Sequence, residues 1–288
     1  NAINWRYLPE SNEDLWWSQR SNWGHLYLYD LSTGKVKRQV TEGEWNVAEV
    51  VRLDPESRTV WFTGVNREEG HHPYHQHLYR VNLDGGEPVL LSPEDAQHAF
   101  KLSKDGKYVV DTYSTTPVPP VTVLRDAQDG KVLAEVAKAD ITRLTASGWV
   151  APEAIVVKAR DGKTDLYGTL FKPSNFDPSK KYPIINYVYP GPQVGSVRTY
   201  GFAPSHGDNQ ALAELGFVVV AIDGMGTPYR SKAFHDAYAK NIGDNTLPDQ
   251  VTGMQQLAKR YPWIDLTRVG IWGHSGGGNA TGTAMFRY

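Results

Sequence analysis

Gly273-His274-Ser275-Gly276-Gly277 constrains the chain more than any other stretch, because it sets three glycines around one serine between two regular elements. Val269, Ile271 and Trp272 before it read as a short buried strand, and Asn279 to Phe286 after it as the start of a helix. A chain that must reverse from strand to helix within so few residues forces its central residue into a strained backbone conformation. Side chains at the flanking positions would collide with the strand or the helix. The serine is thereby held out at the carboxyl edge of a sheet. The N–H of Gly276, at the first turn of the helix, is free to donate to a developing negative charge.

Strand, G-x-S-x-G and helix in that order are the context of the nucleophile elbow of an α/β-hydrolase. The bland alternative is a glycine-rich turn holding a serine by chance; the flanking strand and helix favour the elbow. A dinucleotide-binding loop is excluded, because Gly276-x-Gly278 has Thr281 where a third glycine is needed, and no acidic residue follows.

Composition narrows the classes without choosing among them. The 288 residues are 40% hydrophobic and 22% charged, enough for two domains with real cores. A net charge of −2 without basic or acidic blocks gives no reason to expect a nucleic acid partner. The longest apolar run, Phe217 to Ile222, is far too short to cross a bilayer. Cysteine is absent, so no disulfide framework exists and the redox compartment stays open.

From Asn4 to about Val136 the chain reads as short strands with alternating polarity, among them Leu26 to Tyr29, Val60 to Thr63, Leu78 to Val81, Tyr108 to Asp111 and Val121 to Leu124. Gly-containing turns separate them. His25-Leu-Tyr-Leu-Tyr-Asp-Leu-Ser-Thr-Gly34 recurs as His77-Leu-Tyr-Arg-Val-Asn-Leu-Asp-Gly-Gly86 and, more weakly, as Val121 to Gly130. Repeats at that spacing suit propeller blades, and six of the nine tryptophans lie in this half. A β-sandwich is the alternative. Two or three blades are legible, fewer than a closed ring needs, so further blades are expected upstream. Glu69 to His77 holds four histidines in seven residues. A metal site is one reading of that cluster, but Gly70 and Pro73 mark a loop and no cysteine is available, so a solvated loop is the expectation, as is a solvated turn for Glu68-Glu69.

Around Ala139 to Thr142 the pattern changes. Glu153 to Ala159 and Leu166 to Phe171 flank a hairpin turn, Ile184 to Tyr189 and Phe217 to Ile222 are unbroken apolar strands, and Gln210 to Leu215 and Leu247 to Arg260 are helices. That alternation predicts a mostly parallel α/β sheet. The fold expected is thus a partial α/β-hydrolase preceded by the last blades of a β-propeller. Residues 1–140 form the propeller part, and residues 141–288 the N-terminal part of the catalytic domain, truncated after the elbow.

Val188-Tyr-Pro-Gly-Pro192, Ile222-Asp-Gly-Met-Gly226 and Gly273-His-Ser-Gly-Gly277, following propeller-like repeats and a hairpin, resemble the prolyl oligopeptidase family of serine peptidases. Ser18 to Asp30 is similar to the dipeptidyl peptidase IV branch. The resemblance covers nearly the whole chain. It implies a serine exopeptidase that releases dipeptides, often with proline or alanine second, from peptides with free N-termini through an acyl-enzyme. It implies Ser275 as nucleophile, the Gly276 N–H as one oxyanion donor and the Tyr189 hydroxyl as the other, with no cofactor and no metal. A homodimer and a periplasmic or extracellular setting fit it, with a cytoplasmic one left open. The chain departs from the family at Gly276, where the branch often has a pocket-shaping aromatic, and at Met225, where an arginine is usual. The family's N-terminus-binding glutamates are expected upstream, and Glu68-Glu69 is not that pair. Asp249 reads as a structural or helix-dipole partner.

In α/β-hydrolases the acid and the base follow the serine. Residues 276–288 contain no Asp, Glu or His, and His274 on the elbow faces away from its neighbour's hydroxyl. His206 and His235 precede the elbow and read as surface or loop residues. The 288-residue chain alone is therefore expected to be inactive. An acylaminoacyl peptidase or esterase on the same scaffold, and a non-catalytic binding protein, are the alternatives; the absence of an HGGG-type loop argues against the esterase.

Overall fold

The computed structural model describes residues 5–288; Asn4, where the strand-rich stretch is read to begin, lies outside them. Two compact units emerge, one of residues up to Ala139 with Tyr229–Ala233, the other Asp140–Pro228 with Phe234–Tyr288. The small excursion is bonded within the first unit. The N–H groups of Lys232 and Ala233 donate to the Asn22 main-chain O (2.7 Å) and Oδ1 (2.9 Å), and Asn46 Nδ2 donates to the Arg230 carbonyl (3.0 Å).

The first unit holds three four-stranded antiparallel sheets, each in plain sequence order. The first is β1 (Trp5–Leu8), β2 (Glu13–Ser18), β3 (His25–Asp30) and β4 (Lys35–Gln39). The second is β5 (Asn46–Asp54), β6 (Thr59–Val65), β7 (His77–Asn82) and β8 (Gly85–Leu90). The third is β9 (Gln97–Leu102), β10 (Tyr108–Ser114), β11 (Val121–Asp126) and β12 (Val132–Lys138). The sequence repeat falls on the third strand of each sheet and the turn after it. Alternation explains the packing: Leu26 and Leu28 of β3 meet Val60, Phe62, Tyr79 and Val81 in one core, whereas Trp61 and Leu78 turn to the other face against Val109 and Ala127. Trp45, Phe62 and Tyr79 form an aromatic ladder with centroid spacings of 6.0 and 5.5 Å.

The histidine-rich loop is solvated only where it begins, at the exposed Glu69 and Gly70, and closes inward towards His77. His75 and His77 are buried, because their polar atoms find partners far along the chain: His75 Nδ1 meets Asp95 Oδ1 at 2.7 Å, and His77 Nδ1 donates to the Ser92 carbonyl at 2.7 Å. Burial pushes His77 down to about 4. Glu68 is likewise engaged, by Arg67 (3.0 Å) and the Tyr79 hydroxyl (3.0 Å).

The second unit is built on one five-stranded sheet. After the short helix α1 (Thr142–Ala146) come β13 (Glu153–Lys158), β14 (Asp165–Phe171), β15 (Tyr182–Tyr187), helix α2 (Asn209–Glu214), β16 (Val218–Ile222), helices α3 (Lys232–His235) and α4 (Leu247–Arg260), β17 (Ile264–Trp272) and helix α5 (Gly276–Arg287). The order is β13-β14-β16-β15-β17. β13 and β14 pair antiparallel, as do β14 and β16, while β15 runs parallel to both β16 and β17. β16 is apolar throughout because both its faces are covered: Val218, Val220 and Ile222 pack with Met254 and Leu257 of α4, and Val219 with Ala213 of α2. Each such side chain contributes about 1.5–3 kcal/mol of burial. Asn186 Nδ2 donates to Gln250 Oε1 (2.9 Å), and Gln250 Nε2 to the Ile222 carbonyl (3.0 Å), fixing α4 on the sheet.

Two elements differ in their bounds from the sequence reading, and a third in its burial. β15 starts and ends two residues earlier than Ile184–Tyr189, which leaves Tyr189 beyond the strand. The helix after the elbow begins at Gly276, since its glycines stack directly on the turn. β17 is an edge strand among the described residues, and Val269 is 48% exposed rather than buried.

Candidate active site

Ser275 caps α5 with φ 55° and ψ −115°, a combination that costs an L-residue on the order of 1–3 kcal/mol and persists only where neighbours enforce it. The enforcing group is the Val188 carbonyl. Val188 N–H donates to the Trp272 carbonyl (3.0 Å), extending the β15–β17 ladder into the turn. This sets the Val188 oxygen so close to Gly273 and Gly277 that a Cβ on either would lie within 3.0 Å of it. A Cβ on Gly273 would also stand 2.7 Å from the Gly277 Cα. The outer glycines of the pentad therefore touch each other and one carbonyl, and the serine between them is pushed outward. Ser275 is exposed.

The start of α5 is ordered around it. Gly277 N–H donates to the His274 carbonyl (2.8 Å) and Asn279 N–H to the Ser275 carbonyl (3.1 Å). Tyr189 and Pro190 lie beside Gly276: its Cβ position is 3.9 Å from Tyr189 Cζ and 3.6 Å from Pro190 Cγ. The phenol is thus carried to the N-terminus of α5. Its main chain is pinned by Ser196, whose Oγ accepts from Tyr189 N–H (2.9 Å) and donates to the Tyr189 carbonyl (3.2 Å). Gln193 Nε2 donates to Tyr189 Oη at 2.7 Å.

Asp223, at the end of β16, is a residue the sequence reading passed over. It is buried and accepts from Val197 N–H (3.0 Å) and the Tyr200 hydroxyl (2.8 Å), fixing the loop that contains Ser196. Burial pushes its carboxyl up to about 6, against the hydrogen bonds that oppose the rise. The only sequence signal was an acidic residue closing an apolar parallel strand. Asp249 is fully buried in the first turn of α4, bonded by Arg160 Nε (2.9 Å) and Nη2 (2.7 Å) and by Met225 N–H (2.9 Å). That is a structural partner, as its position in the helix predicts.

No histidine among the described residues is hydrogen-bonded to Ser275. His274 lines a cavity of about 480 Å³ with Trp272, Tyr187 and His206. His206, half-buried in the turn before α2, packs on Phe171 at 5.3 Å, and burial lowers its basicity. His235 Nε2 donates to the Pro192 carbonyl (3.0 Å) and steadies the loop of Gln193.

Among the described residues Glu94, His98 and Asp111 cluster closely enough to ligate a metal ion. Arg125 occupies the position instead. Its Nη2 meets Glu94 Oε2 at 2.6 Å and its Nε meets Asp111 Oδ2 at 2.8 Å, while His98 Nδ1 bonds Asp111 at 2.9 Å. A buried guanidinium already neutralises both carboxylates, so the donor set does not fit a metal.

Ser275 is thus held at positive φ between a parallel strand and a helix, beside a helix N-terminus and a phenol. Residues 3–120 match the family described as the dipeptidyl peptidase IV N-terminal region, and residues 205–288 match the prolyl oligopeptidase family. The chain is 33% identical over 255 residues to human dipeptidyl peptidase 8, covering 85% of itself and 28% of that protein. It is 28% identical to dipeptidyl peptidase 4 of Trichophyton equinum, covering 99% of itself and 37% of the relative. A solved structure of a putative dipeptidyl aminopeptidase IV from Bacteroides ovatus superposes with a TM-score of 0.86 at 31% identity, over 99% of this chain and 42% of the other. For Porphyromonas gingivalis dipeptidyl peptidase 4 the TM-score is 0.82 at 25% identity, over 98% and 39%. The chain belongs to the prolyl oligopeptidase family, in its dipeptidyl peptidase IV branch. It spans between about a quarter and two fifths of the length of these relatives.

Proposed function

We propose that this chain is the nucleophile-bearing part of a serine exopeptidase that releases dipeptides, of Xaa-Pro or Xaa-Ala type, from free peptide N-termini. On this reading residues 1–140 are blades of a β-propeller and residues 141–288 the first part of an α/β-hydrolase catalytic domain. Ser275 Oγ attacks the carbonyl carbon of the scissile bond as a base takes its proton. The oxyanion accepts hydrogen bonds from the Gly276 N–H and the Tyr189 hydroxyl. Collapse expels the amine of the shortened peptide, which takes up a proton, and water then releases the dipeptide from the acyl-serine. Base and acid follow the serine in this fold class, and residues 276–288 hold no candidate for either, so the assignment covers nucleophile and oxyanion donors.

The observation that carries the reading is Ser275 at φ 55°, enforced by one carbonyl wedged against the two glycines, with the Tyr189 ring beside Gly276. The relatives' names support dipeptide release, and the Xaa-Pro or Xaa-Ala preference follows from the family resemblance. On the full-length protein, an Xaa-Pro reporter with a free amino terminus should be cleaved and its N-acetylated twin should not. Cleavage of the acetylated substrate as well would show that no free amino terminus is required and would overturn the dipeptide-releasing reading, and release of the acetylated first residue alone would assign the site to an acylaminoacyl peptidase.

A further inference from the structure

Tyr189 has one hydroxyl proton, and what its oxygen accepts decides where that proton can point. Gln193 Nε2 donates to the Tyr189 oxygen at 2.7 Å. Once a lone pair is taken by a donor, the O–H is free to turn to an acceptor elsewhere, and the incoming bond polarises it into a better donor. Gln193 itself stands on a fixed loop. The His235 ring donates to the carbonyl of Pro192, immediately before it (3.0 Å). Ser196, three residues on, holds the main chain of Tyr189 at both its N–H and its carbonyl. Asp223 then anchors the loop beyond through Val197 N–H. Backbone and phenol of Tyr189 are thus addressed by one segment, residues 192–197.

We infer that Gln193 is a positioning residue for the reaction, acting through Tyr189: its amide occupies the phenolic oxygen and leaves the O–H proton for the oxyanion. This rests on the assignment of Tyr189 as an oxyanion donor. It has a directional consequence that mere loop support lacks. A near-isosteric carboxylate at position 193 can only accept, so it would capture the Tyr189 proton and turn the donor away from the substrate.

The test is a series in the full-length peptidase with an Xaa-Pro reporter, with thermal midpoints recorded to establish folding. Gln193→Ala should lower kcat about 3- to 10-fold with KM within about twofold, the worth of one neutral hydrogen bond. Gln193→Glu should lower it further at neutral pH, towards the value for Tyr189→Phe. Its rate relative to wild type should recover as pH falls through the range of a free carboxylate, near about 4 to 5, where the protonated acid can donate again. In the Tyr189→Phe background neither Gln193 substitution should lower kcat further. If Gln193→Glu is no slower than Gln193→Ala, or the effects add to Tyr189→Phe, Gln193 does not act through Tyr189 and the inference is wrong. If Tyr189→Phe alone leaves kcat unchanged, the oxyanion assignment fails first, and the inference with it.

Discussion

Gly277→Ala sets two effects of opposite sign against each other in α5. Alanine is the better helix former by at most about 1 kcal/mol, so propensity alone predicts a more stable protein. The new methyl, however, would fall inside 3.0 Å of the Val188 carbonyl oxygen, an atom held in the β15–β17 ladder by its own residue's bond to Trp272. An overlap on the order of 1 Å with backbone cannot be relieved by a rotamer change, and overpacking of that kind costs about 1–3 kcal/mol. Steric cost wins, and the relief must come from moving the turn that carries Ser275. A displacement of about 1 Å at a reacting group costs roughly 100-fold in rate. Gly282 is the internal control, because it lies in the same helix and a Cβ there meets nothing within 4 Å. In thermal denaturation of the full-length protein and in its rate of acylation by a fluorophosphonate, Gly282→Ala should be neutral or slightly stabilising and fully reactive. Gly277→Ala should melt several degrees lower and acylate about two orders of magnitude more slowly. Should the two alanines behave alike, the carbonyl wedge does not shape the elbow.

Three further outcomes are expected. Tyr189→Phe should lower kcat of the full-length protein for an Xaa-Pro reporter by about 10- to 1,000-fold with little change in substrate binding, the range for one lost oxyanion donor, read from steady-state kinetics. Asp223 has a carboxyl raised in the fold to about 6 from 3.8, so the folded state binds the extra proton between those values. Its contribution is present below about pH 4 and is lost as pH rises through 6, an effect on the order of 3 kcal/mol. Asp223→Asn should remove that slope from denaturant titrations taken at pH 4, 5 and 6, and an unchanged slope would place the titration elsewhere. The 288-residue chain by itself should show no turnover of an Xaa-Pro reporter, because residues 276–288 hold no base and no described histidine is bonded to Ser275.

What the sequence made legible was local. The pentad announced its turn because its constraints lie within five residues, and α4 was read to its ends because Pro248 near its start and Lys259-Arg260 in its last turn mark them. Features made by distant residues stayed hidden. The Val188 wedge on Gly277 joins parts of the chain far apart in sequence, so nothing near the motif names the enforcing carbonyl. His75 and His77 sat in a loop with turn residues and read as solvated, since Asp95 and Ser92, which satisfy them, arrive from the connection after β8. Gln193 carried no signal at all, because its role depends on the direction of one donor toward Tyr189. The apolar alternation of β17 was visible, but which of its faces is covered depends on sheet order, and Val269 stands exposed.

The central claim is that Ser275 is the acylated nucleophile. Peptide mapping by mass spectrometry after treating the full-length protein with a fluorophosphonate tests it most directly. One adduct per chain is expected, on the peptide containing Ser275, together with loss of dipeptide release, and Ser275→Ala should carry no adduct and release none. An adduct on another serine, or continued dipeptide release by Ser275→Ala, would contradict the account.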